Sequence, residues 1–214
     1  MIDFLLPILI ASVCGYLLGS LNSALLVSLF MKHDDIRTHG SGNAGMTNML
    51  RTYGKKAALI TAVGDLLKAV AAVFLGRFIF EASGAHPGFD PGYIAGLFVL
   101  VGHIFPVFFR FRGGKGVMPA LGIILLVNPY AFLVMFIIAL PVFLISRTIS
   151  IVSVISAAAL PFVTLSICLL RHQRALFDTS ITLIYAILVI FSHRENIRRL
   201  LHGSEKPFIS KKRL

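Results

Sequence analysis

Charged residues are scarce in this sequence, and acidic residues are scarcer than basic ones. Only 14% of the 214 residues are charged, with nine Asp and Glu against 20 Lys and Arg. In contrast, 57% of the residues are hydrophobic and the mean hydropathy is +0.88. An average soluble domain has about a quarter of its residues charged. The composition therefore excludes an ordinary soluble domain and indicates an integral membrane protein.

Several motifs that carry chemistry are also missing. The sequence contains no G-x-S-x-G, which argues against an acyl-serine intermediate at a nucleophile elbow. A Walker A loop needs G-x-x-x-x-G-K-[ST], but Gly116 follows Lys115 and Phe109 occupies the position of the first glycine. ATP hydrolysis is therefore unsupported. No cluster of metal ligands stands out, and no basic module is long enough to bind nucleic acid. We expect no metal, no cofactor and no nucleic-acid partner.

Long apolar runs predict an all-α polytopic membrane protein with about seven transmembrane helices. The break between the fourth and fifth helices depends on Asn128-Pro129, which is either a turn or a kink, so six spans is the alternative. No internal repeat or low-complexity linker is present, and we treat residues 1–214 as a single domain. The predicted helices cover residues 4–30, 56–80, 92–109, 116–127, 129–146, 151–170 and 176–192.

The N-terminal run from Phe4 to Phe30 could instead be a secretory signal peptide. It lacks a basic segment before it and is too long for the apolar part of a signal, so we expect a retained span. The two cysteines, Cys14 and Cys168, lie within apolar runs, where we expect buried thiols.

Basic residues are distributed unevenly among the connections between the predicted helices. Most of the 20 lysines and arginines fall within residues 31–56, within residues 110–115, at Arg147 or after residue 192. Lysine and arginine near the ends of spans are retained on the cytoplasmic side. We therefore predict that the N-terminus lies outside and that the C-terminus and these four segments face the cytoplasm. Orientation alone accounts for the formal charge of +11.

The first polar segment on that side is rich in glycine and in hydrogen-bonding side chains. It reads GSGNAGMTN from Gly40 to Asn48 and is followed by Arg51. Glycines let backbone N–H groups turn toward an anion, and the planar guanidinium group suits phosphate. The segment is either an anion site or only a flexible loop between helices. The candidate contacts are Ser41, Gly42, Asn43, Thr47, Asn48 and Arg51.

The second polar segment, residues 110–116, reads RFRGGKG. A glycine-lined lysine that leads into a helix N-terminus is a good anion site, because unpaired N–H groups and the helix dipole point at the ligand. The candidate contacts are Gly113, Gly114, Lys115 and Gly116. We interpret His103, which precedes this segment, as a structural residue near the end of a span.

The third polar segment contains Ser150 and Ser153 at the predicted start of a helix. Serines three residues apart share one helix face, and N-capping is the favoured interpretation of Ser150. Inside the second span, Asp65 and Lys68 also share a face. Charges within a membrane are usually paired or functional, and we predict an ion pair that braces the site.

The fourth polar segment reads HRENIRRLL from His193. On a continuing helix His193 and Asn196 share a face, and Glu195 and Arg199 can pair at a spacing of four. The alternative is a basic amphipathic helix that lies on anionic headgroups. That alternative explains the arginines but not His193 and Asn196.

Taken together, the four segments resemble the acylphosphate:glycerol-3-phosphate acyltransferase family of bacterial inner membranes, called PlsY. The first loop of that family is usually GSGNxGATNxxR, matched by residues 40–51, and the second is GHxFPVFxxFxGGKGVATxxG, matched by residues 102–122. A serine pair after R-[YF]-x-S is matched by residues 147–153, and HRENIxRLLxGxE is matched by residues 193–205. The departures, such as Ala44 for proline and Met46 for alanine, replace no candidate polar contact.

The resemblance implies transfer of a fatty acyl group from acyl phosphate to the 1-hydroxyl of glycerol 3-phosphate. The products would be lysophosphatidate (1-acylglycerol 3-phosphate) and inorganic phosphate, in the first step of bacterial phospholipid synthesis. The implied partners are glycerol 3-phosphate, a fatty acyl phosphate and membrane lipids, and the implied location is the inner membrane with the active site facing the cytoplasm. The H-x-x-x-x-D signature of the other large group of glycerolipid acyltransferases is absent.

The resemblance also suggests a role for each candidate residue. Arg51, Lys115, His193 and Asn196 are expected to be catalytic. Ser41, Arg51 and Lys115 would engage glycerol 3-phosphate, while Ser153, His193 and Asn196 would position it. Gly113, Gly114 and Gly116 would give the acyl phosphate room and backbone donors. The phosphate that each glycine loop holds is left open, as is the choice of base between His193 and a substrate phosphate oxygen. An organic-phosphate transporter is the main rival, but no inverted repeat supports it.

Overall fold

The computed structural model describes residues 2–173 and 175–208, and every regular element within them is helical. Six helical stretches in these residues are long and apolar enough to cross a membrane. The prediction of an all-α polytopic membrane protein is confirmed. The α-helices are α1 (Ile2–Ser20), α2 (Ser23–Lys32), α3 (Met46–Ala82), α4 (Gly92–Ile104), α5 (Val117–Val127), α6 (Pro129–Ser146), α7 (Ile149–Leu170), α8 (Ala175–Ser192) and α9 (Arg194–Leu201).

The chain separates into two compact units, Met1–Val127 and Asn128–Leu214. Helices α1 to α5 and both glycine-rich loops belong to the first unit. Helices α6 to α9 and the serine and HREN segments belong to the second. The interpretation of residues 1–214 as one acyltransferase domain stays a prediction.

In the first unit, α1 packs closely against α4 because glycines remove side chains from the contact. A Cβ atom at Gly15 would lie 2.5 Å from the carbonyl oxygen of Ala95. At Gly19, a Cβ atom would lie 2.8 Å from the Cα atom of Val99. Small residues at such positions let membrane helices approach until their backbones touch.

The predicted helix 4–30 is two helices, α1 and α2, because the chain breaks at Leu21 and Asn22. Asn22 is completely buried and caps α2, since its side-chain oxygen accepts a hydrogen bond from the N–H of Leu25 at 3.1 Å. Asparagine is among the residues that most favour this position. The sequence did not predict this break because a single polar capping residue hardly changes the hydropathy of a long apolar run.

Lys68 stabilises the backbone at this break. Its ammonium group donates to the carbonyl oxygens of Gly19 and Leu21, each at 3.0 Å, and pairs with Asp65 at 2.9 Å. The backbone N–H of Ser23 donates to the same carboxylate at 3.4 Å. The structure confirms the predicted ion pair, and the pair secures the junction of α1 and α2.

Helix α3 begins earlier than the predicted 56–80 and contains a kink at Gly54. This residue has φ 84° and ψ −173°, a conformation that is essentially restricted to glycine. The residues before the kink, from Met46 to Tyr53, form a separate helical segment that carries Arg51. The kink therefore places Arg51 outside the long apolar part of α3.

In the second unit, α6 begins at the predicted Asn128-Pro129 signal. The Asn128 side chain accepts a hydrogen bond from the N–H of Ala131 at 3.0 Å, and Pro129 is the first residue of the helix. Asn128-Pro129 is therefore a helix start and not a kink. At the other end, the carbonyl oxygen of Arg147 accepts from the N–H of Phe208 at 2.8 Å, so the C-terminal segment returns to the end of α6.

The predicted orientation can be tested with single cysteines at exposed positions. Native Cys168 is buried as expected, but Cys14 is only half-buried, so both are first replaced. We expect a membrane-impermeant thiol reagent, added to intact cells, to label His86→Cys and not Thr38→Cys, because Thr38 lies in the positively charged loop. Both cysteines should react in permeabilised cells, which controls for accessibility. Labelling of Thr38→Cys in intact cells would reverse the orientation.

Candidate functional site

The first glycine-rich loop is built around the side chain of Asn48. This side chain is buried, and its oxygen accepts a hydrogen bond from the N–H of Ser41 at 3.0 Å. Its amide nitrogen contacts three loop carbonyls, those of Ile36 (3.2 Å), His39 (3.0 Å) and Asn43 (3.1 Å). Only an amide both donates and accepts in this way. Asn48 therefore organises the loop, and its predicted contact with substrate stays a prediction.

Glycine at position 40 is required by this arrangement. Gly40 has φ 58°, and a Cβ atom there would collide with the side-chain oxygen of Asn48. Ser41 and Gly42 follow it on the exposed surface of the loop. Asn43 and Thr47 are half-buried, and Arg51 is exposed on the first helical segment of α3. The loop is thus held by its own hydrogen bonds and is not merely a flexible connection.

The second glycine-rich loop packs on the end of α4. The N–H of Gly113 donates to the carbonyl oxygen of Ile104 at 3.1 Å, and the N–H of Gly114 donates to that of His103 at 3.0 Å. These two amides are hydrogen-bonded within the protein, which differs from the expected role of backbone donors to acyl phosphate. The amides with no acceptor in their own helix are those at the start of α5, as at any helix N-terminus.

Close approach explains why Gly113 and Gly114 are glycines. A Cβ atom at Gly113 would collide with the His103 carbonyl oxygen and lie 2.7 Å from Cδ of Pro106. A Cβ atom at Gly114 would lie 2.7 Å from the carbonyl oxygen of Ala44 in the first loop. The half-buried Lys115 and then Gly116, at φ 80°, lead into α5.

Arg37 connects the two glycine-rich loops within the first unit. Its guanidinium group donates to the carbonyl oxygens of Phe109 at 2.8 Å and Arg112 at 3.1 Å. Asp35 holds the same group at 2.7 Å, and this hydrogen-bonded ion pair lowers the pKa of the Asp35 carboxyl. Gly114 also approaches the first loop, since a Cβ atom there would lie 2.7 Å from the carbonyl oxygen of Ala44. The two glycine-rich loops are therefore in direct contact within the first unit, while their predicted roles in binding phosphate stay a prediction.

In the second unit, Glu205 gathers the side chains of the serine and HREN segments. Its Oε1 atom accepts from Oγ of Ser150 at 2.8 Å and from Nδ2 of Asn196 at 2.6 Å. Its Oε2 atom accepts from Nε of Arg199 at 2.7 Å. Arg199 thus pairs with Glu205, whereas the sequence suggested Glu195. Sequence reasoning gave Glu205 no role, although it is the final Glu of the HRENIxRLLxGxE motif that residues 193–205 match.

The electrostatic balance at Glu205 favours the carboxylate. Its side chain is 9% exposed, and burial raises the pKa of the carboxyl. The hydrogen bonds from Arg199, Asn196 and Ser150 outweigh burial, and the pKa lies below its ordinary value. Glu205 is therefore charged at neutral pH and holds Asn196 in one orientation.

The two serines of α7 have different partners. Thr148 is the N-cap of α7 and Ser150 lies in its first turn, so the N-cap interpretation of Ser150 was wrong. The hydroxyl of Ser150 donates to Glu205, and that of Ser153 donates to the carbonyl oxygen of Ile149 at 2.9 Å. Both serines are buried.

His193 lies between α8 and α9, and its ring has a defined tautomer. The residue is 2% exposed, and its Nδ1 atom lies 2.8 Å from the carbonyl oxygen of Val189. Because a carbonyl oxygen only accepts, Nδ1 carries a proton, and Nε2 of the neutral ring is an acceptor. This tautomer presents the nitrogen that a general base needs. The predicted continuing helix is interrupted here, since α9 starts at Arg194.

Metal ligands do not cluster in the part of the chain that the structure describes. Residues 2–173 and 175–208 contain no group of three or more His, Cys, Asp or Glu side chains that could hold a metal ion. The basic and hydrogen-bonding side chains above suit an anion instead.

Comparisons with known proteins agree with this chemistry. A family model described as glycerol-3-phosphate acyltransferase matches residues 9–203. A glycerol-3-phosphate acyltransferase of Thermoanaerobacter sp. (strain X514) is 38% identical over 196 residues, covering 92% of this chain and 93% of the relative. The glycerol-3-phosphate acyltransferase of Coxiella burnetii (strain RSA 493 / Nine Mile phase I) is 41% identical over 199 residues, covering 92% of this chain and 96% of the relative.

Two solved structures have a similar fold. The crystal structure of PlsY (YgiH), an integral membrane glycerol 3-phosphate acyltransferase, in its glycerol 3-phosphate form has a TM-score of 0.81 and 31% identity, covering 96% of this chain and 97% of that one. The lysophosphatidic acid form has a TM-score of 0.75 and 30% identity, covering 94% of each chain.

The role of Glu205 predicts a pH-dependent loss of stability in Glu205→Gln. This change removes the charge that Arg199 and Asn196 bind, so we expect roughly 1.5 to 3 kcal/mol of destabilisation at pH 7. Because the folded-state pKa is lowered, the carboxylate stabilises fully above the ordinary pKa of about 4.3, and this is lost as pH falls through the folded-state value. Thermal melting in detergent should show a difference from wild type that shrinks at low pH.

Glu195→Gln is the matched control, because Glu195 is exposed on the same helix, α9. This variant should melt like the wild type at each pH. An equal loss in both variants, or a loss in Glu205→Gln that does not depend on pH, would contradict the role of Glu205.

Proposed function

The chain belongs to the glycerol-3-phosphate acyltransferase family, and we propose that its acyl donor is a fatty acyl phosphate and its products are lysophosphatidate and inorganic phosphate. The observation that carries the proposal is the direct contact of two glycine-rich loops, the first followed by Arg51 and the second containing Lys115. A reaction between two phosphate-bearing substrates needs two such anion sites. The phosphate groups of an acyl-CoA donor are separated from the thioester carbonyl by the long pantetheine arm, so they would not require a second anion site beside the reacting carbon.

The proposed reaction is a direct displacement at the acyl carbonyl. The 1-hydroxyl oxygen of glycerol 3-phosphate attacks the carbonyl carbon of the mixed anhydride, and the bond from that carbon to the phosphate oxygen breaks. The hydroxyl proton passes to a base, for which Nε2 of His193 and a phosphate oxygen of a substrate are the two candidates. Phosphate is a good leaving group, so positioning and charge stabilisation carry much of the catalysis.

In this proposal the residues of the first unit bind phosphate. Arg51 and Lys115 neutralise phosphate charge, and Ser41 adds a donor from the exposed surface of the first loop. Gly42, Asn43 and Thr47 shape that surface, and Asn48 holds it in place. Gly113, Gly114 and Gly116 let the second loop pack closely so that the start of α5 can offer its amides.

The residues of the second unit position the nucleophile. Asn196 and Ser150 are oriented by Glu205, and Ser153 and His193 keep the roles that the family resemblance implies. An anionic, water-soluble acceptor and a lipid-like donor fit a cytoplasm-facing site in a bacterial inner membrane. The acyl chain of the donor and of the product would lie in the lipid.

One assay tests the donor. Purified protein in detergent receives labelled glycerol 3-phosphate with either palmitoyl phosphate or palmitoyl-CoA, and lysophosphatidate is measured by chromatography. We expect product with palmitoyl phosphate and little with palmitoyl-CoA, because only the former presents a phosphate leaving group. No product from palmitoyl phosphate with folded protein would rule out the proposed reaction, and equal use of palmitoyl-CoA would rule out the donor.

Alanine substitutions test the residues. We expect Arg51→Ala, Lys115→Ala and Asn196→Ala each to lower kcat/KM at least about a hundredfold, since the first two lose a cation that binds phosphate and the third loses a group that positions the nucleophile. Steady-state kinetics with both substrates varied provides the measurement. Lys55→Ala, at an exposed lysine of α3, is the matched control and should keep most activity. Near-normal rates in the first three variants would refute the assigned site.

A further inference from the structure

His103 lies near the end of α4, and the proposed reaction gives it no role. It is only 3% exposed. Its backbone carbonyl oxygen accepts from the N–H of Gly114 at 3.0 Å, and the edge of its ring lies against the same glycine. Both the backbone and the side chain of His103 therefore contact the second glycine-rich loop.

The opposite edge of the ring faces the buried ion pair. Nδ1 of His103 lies 3.0 Å from Nζ of Lys68 and 3.5 Å from Oδ1 of Asp65. An ammonium group has three N–H donors and no acceptor, and Lys68 shares them among Gly19, Leu21, Asp65 and Nδ1. Nδ1 therefore faces Lys68 with its lone pair, and the ring proton is on Nε2. Lys68 thus fixes the tautomer, because the hydrogen bond at one ring nitrogen decides the state of the other.

The protonated Nε2 atom is the edge that faces the loop. A Cβ atom at Gly114 would collide with Nε2 and lie 2.9 Å from Cε1. Among the residues that the structure describes, no hydrogen-bond acceptor pairs with Nε2. Nε2 is not one of the fully enclosed side-chain atoms that lack a partner, so part of its surface is accessible to a ligand. Its place beside a glycine-rich loop that leads into a helix N-terminus suits a phosphate oxygen.

We propose that His103 is a phosphate-binding residue, which donates from Nε2–H to a phosphate oxygen of a substrate held at the second glycine-rich loop. This inference rests on the proposed function, because it takes that loop to hold a phosphate. The hydrogen bond between Lys68 and Nδ1 makes Nε2–H a stronger donor, since successive hydrogen bonds polarise one another. Gly114 must be glycine because the ring needs that space.

Two near-isosteric substitutions separate phosphate binding from bracing, which is a purely structural role in which His103 only contacts Lys68. In His103→Asn the amide oxygen can still accept from Lys68, while the donor at the position of Nε2 is lost. In His103→Gln the amide nitrogen reaches the position of Nε2 and can donate, while the contact with Lys68 is weakened. Phosphate binding needs the Nε2 edge, whereas bracing needs the Nδ1 edge.

Binding of inorganic phosphate and of glycerol 3-phosphate to purified protein, by calorimetry, measures the difference. We expect His103→Asn to bind the phosphate ligand about tenfold or more weakly than wild type, and His103→Gln to lose less. Binding by His103→Asn that equals wild type, or that exceeds His103→Gln, overturns the proposal. His86→Asn and His86→Gln, at an exposed histidine, are the controls and should bind like wild type.

Kinetics with each substrate varied identifies the source of the phosphate. If KM of His103→Asn rises for glycerol 3-phosphate alone, His103 binds the phosphate of glycerol 3-phosphate. If KM rises for acyl phosphate alone, His103 binds the phosphate of the acyl donor. A fall in kcat with both KM values unchanged overturns the proposal. If wild type binds phosphate but forms no lysophosphatidate from acyl phosphate, the donor is wrong while the His103 inference stands.

A measurement on the wild-type protein covers the case in which a variant does not fold. Solid-state NMR of protein with ¹⁵N-labelled histidine reports the protonation of Nε2 of His103. We expect a protonated Nε2 whose resonance shifts when phosphate is added. A resonance that stays unchanged at saturating phosphate, or an unprotonated Nε2, overturns the proposal.

Discussion

The first unit depends on the hydrogen bonds that Lys68 makes to backbone carbonyl oxygens at a break in the first transmembrane segment. Within an apolar membrane an unpaired carbonyl group costs several kcal/mol, and the end of α1 leaves two of them near Gly19 and Leu21. Lys68 donates to both, and Asp65 compensates its charge, since a buried charge without a partner is costly. His103 completes the group at 3.0 Å. The junction of α1 and α2, the middle of α3 and the end of α4 are therefore held at one place.

That junction explains why the second glycine-rich loop has its particular shape. The carbonyl of His103 accepts the amide of Gly114, and the ring of His103 fills the space beside it. The glycines here serve close packing more than flexibility, because a Cβ atom would collide with neighbouring backbone or ring atoms. Arg37 then joins this loop to the first one. In the second unit Glu205 has the same organising role for Ser150 and Asn196.

Sequence patterns predicted the spans and the polar segments well, because long apolar runs and dense polar runs are local properties of a chain. They also predicted the Asp65–Lys68 pair, whose members are one helical turn apart. They did not predict the break at Asn22, because one polar residue hardly changes the hydropathy of a long run. They also paired Arg199 with Glu195, its neighbour on a helix, whereas the carboxylate of Glu205 lies closer once the chain folds back.

The family motifs and the apolar runs by themselves determined that this is a helical membrane acyltransferase of glycerol 3-phosphate, and which residues are candidates for its chemistry. Tertiary structure alone decided the partner of each polar side chain: Lys68 with carbonyls of α1, Ser150 with Glu205, and His103 with the second glycine-rich loop. These partners lie far apart in sequence, so no local periodicity reports them. Helix formation follows from nearby residues, but a buried hydrogen bond depends on which distant groups packing brings within about 3 Å.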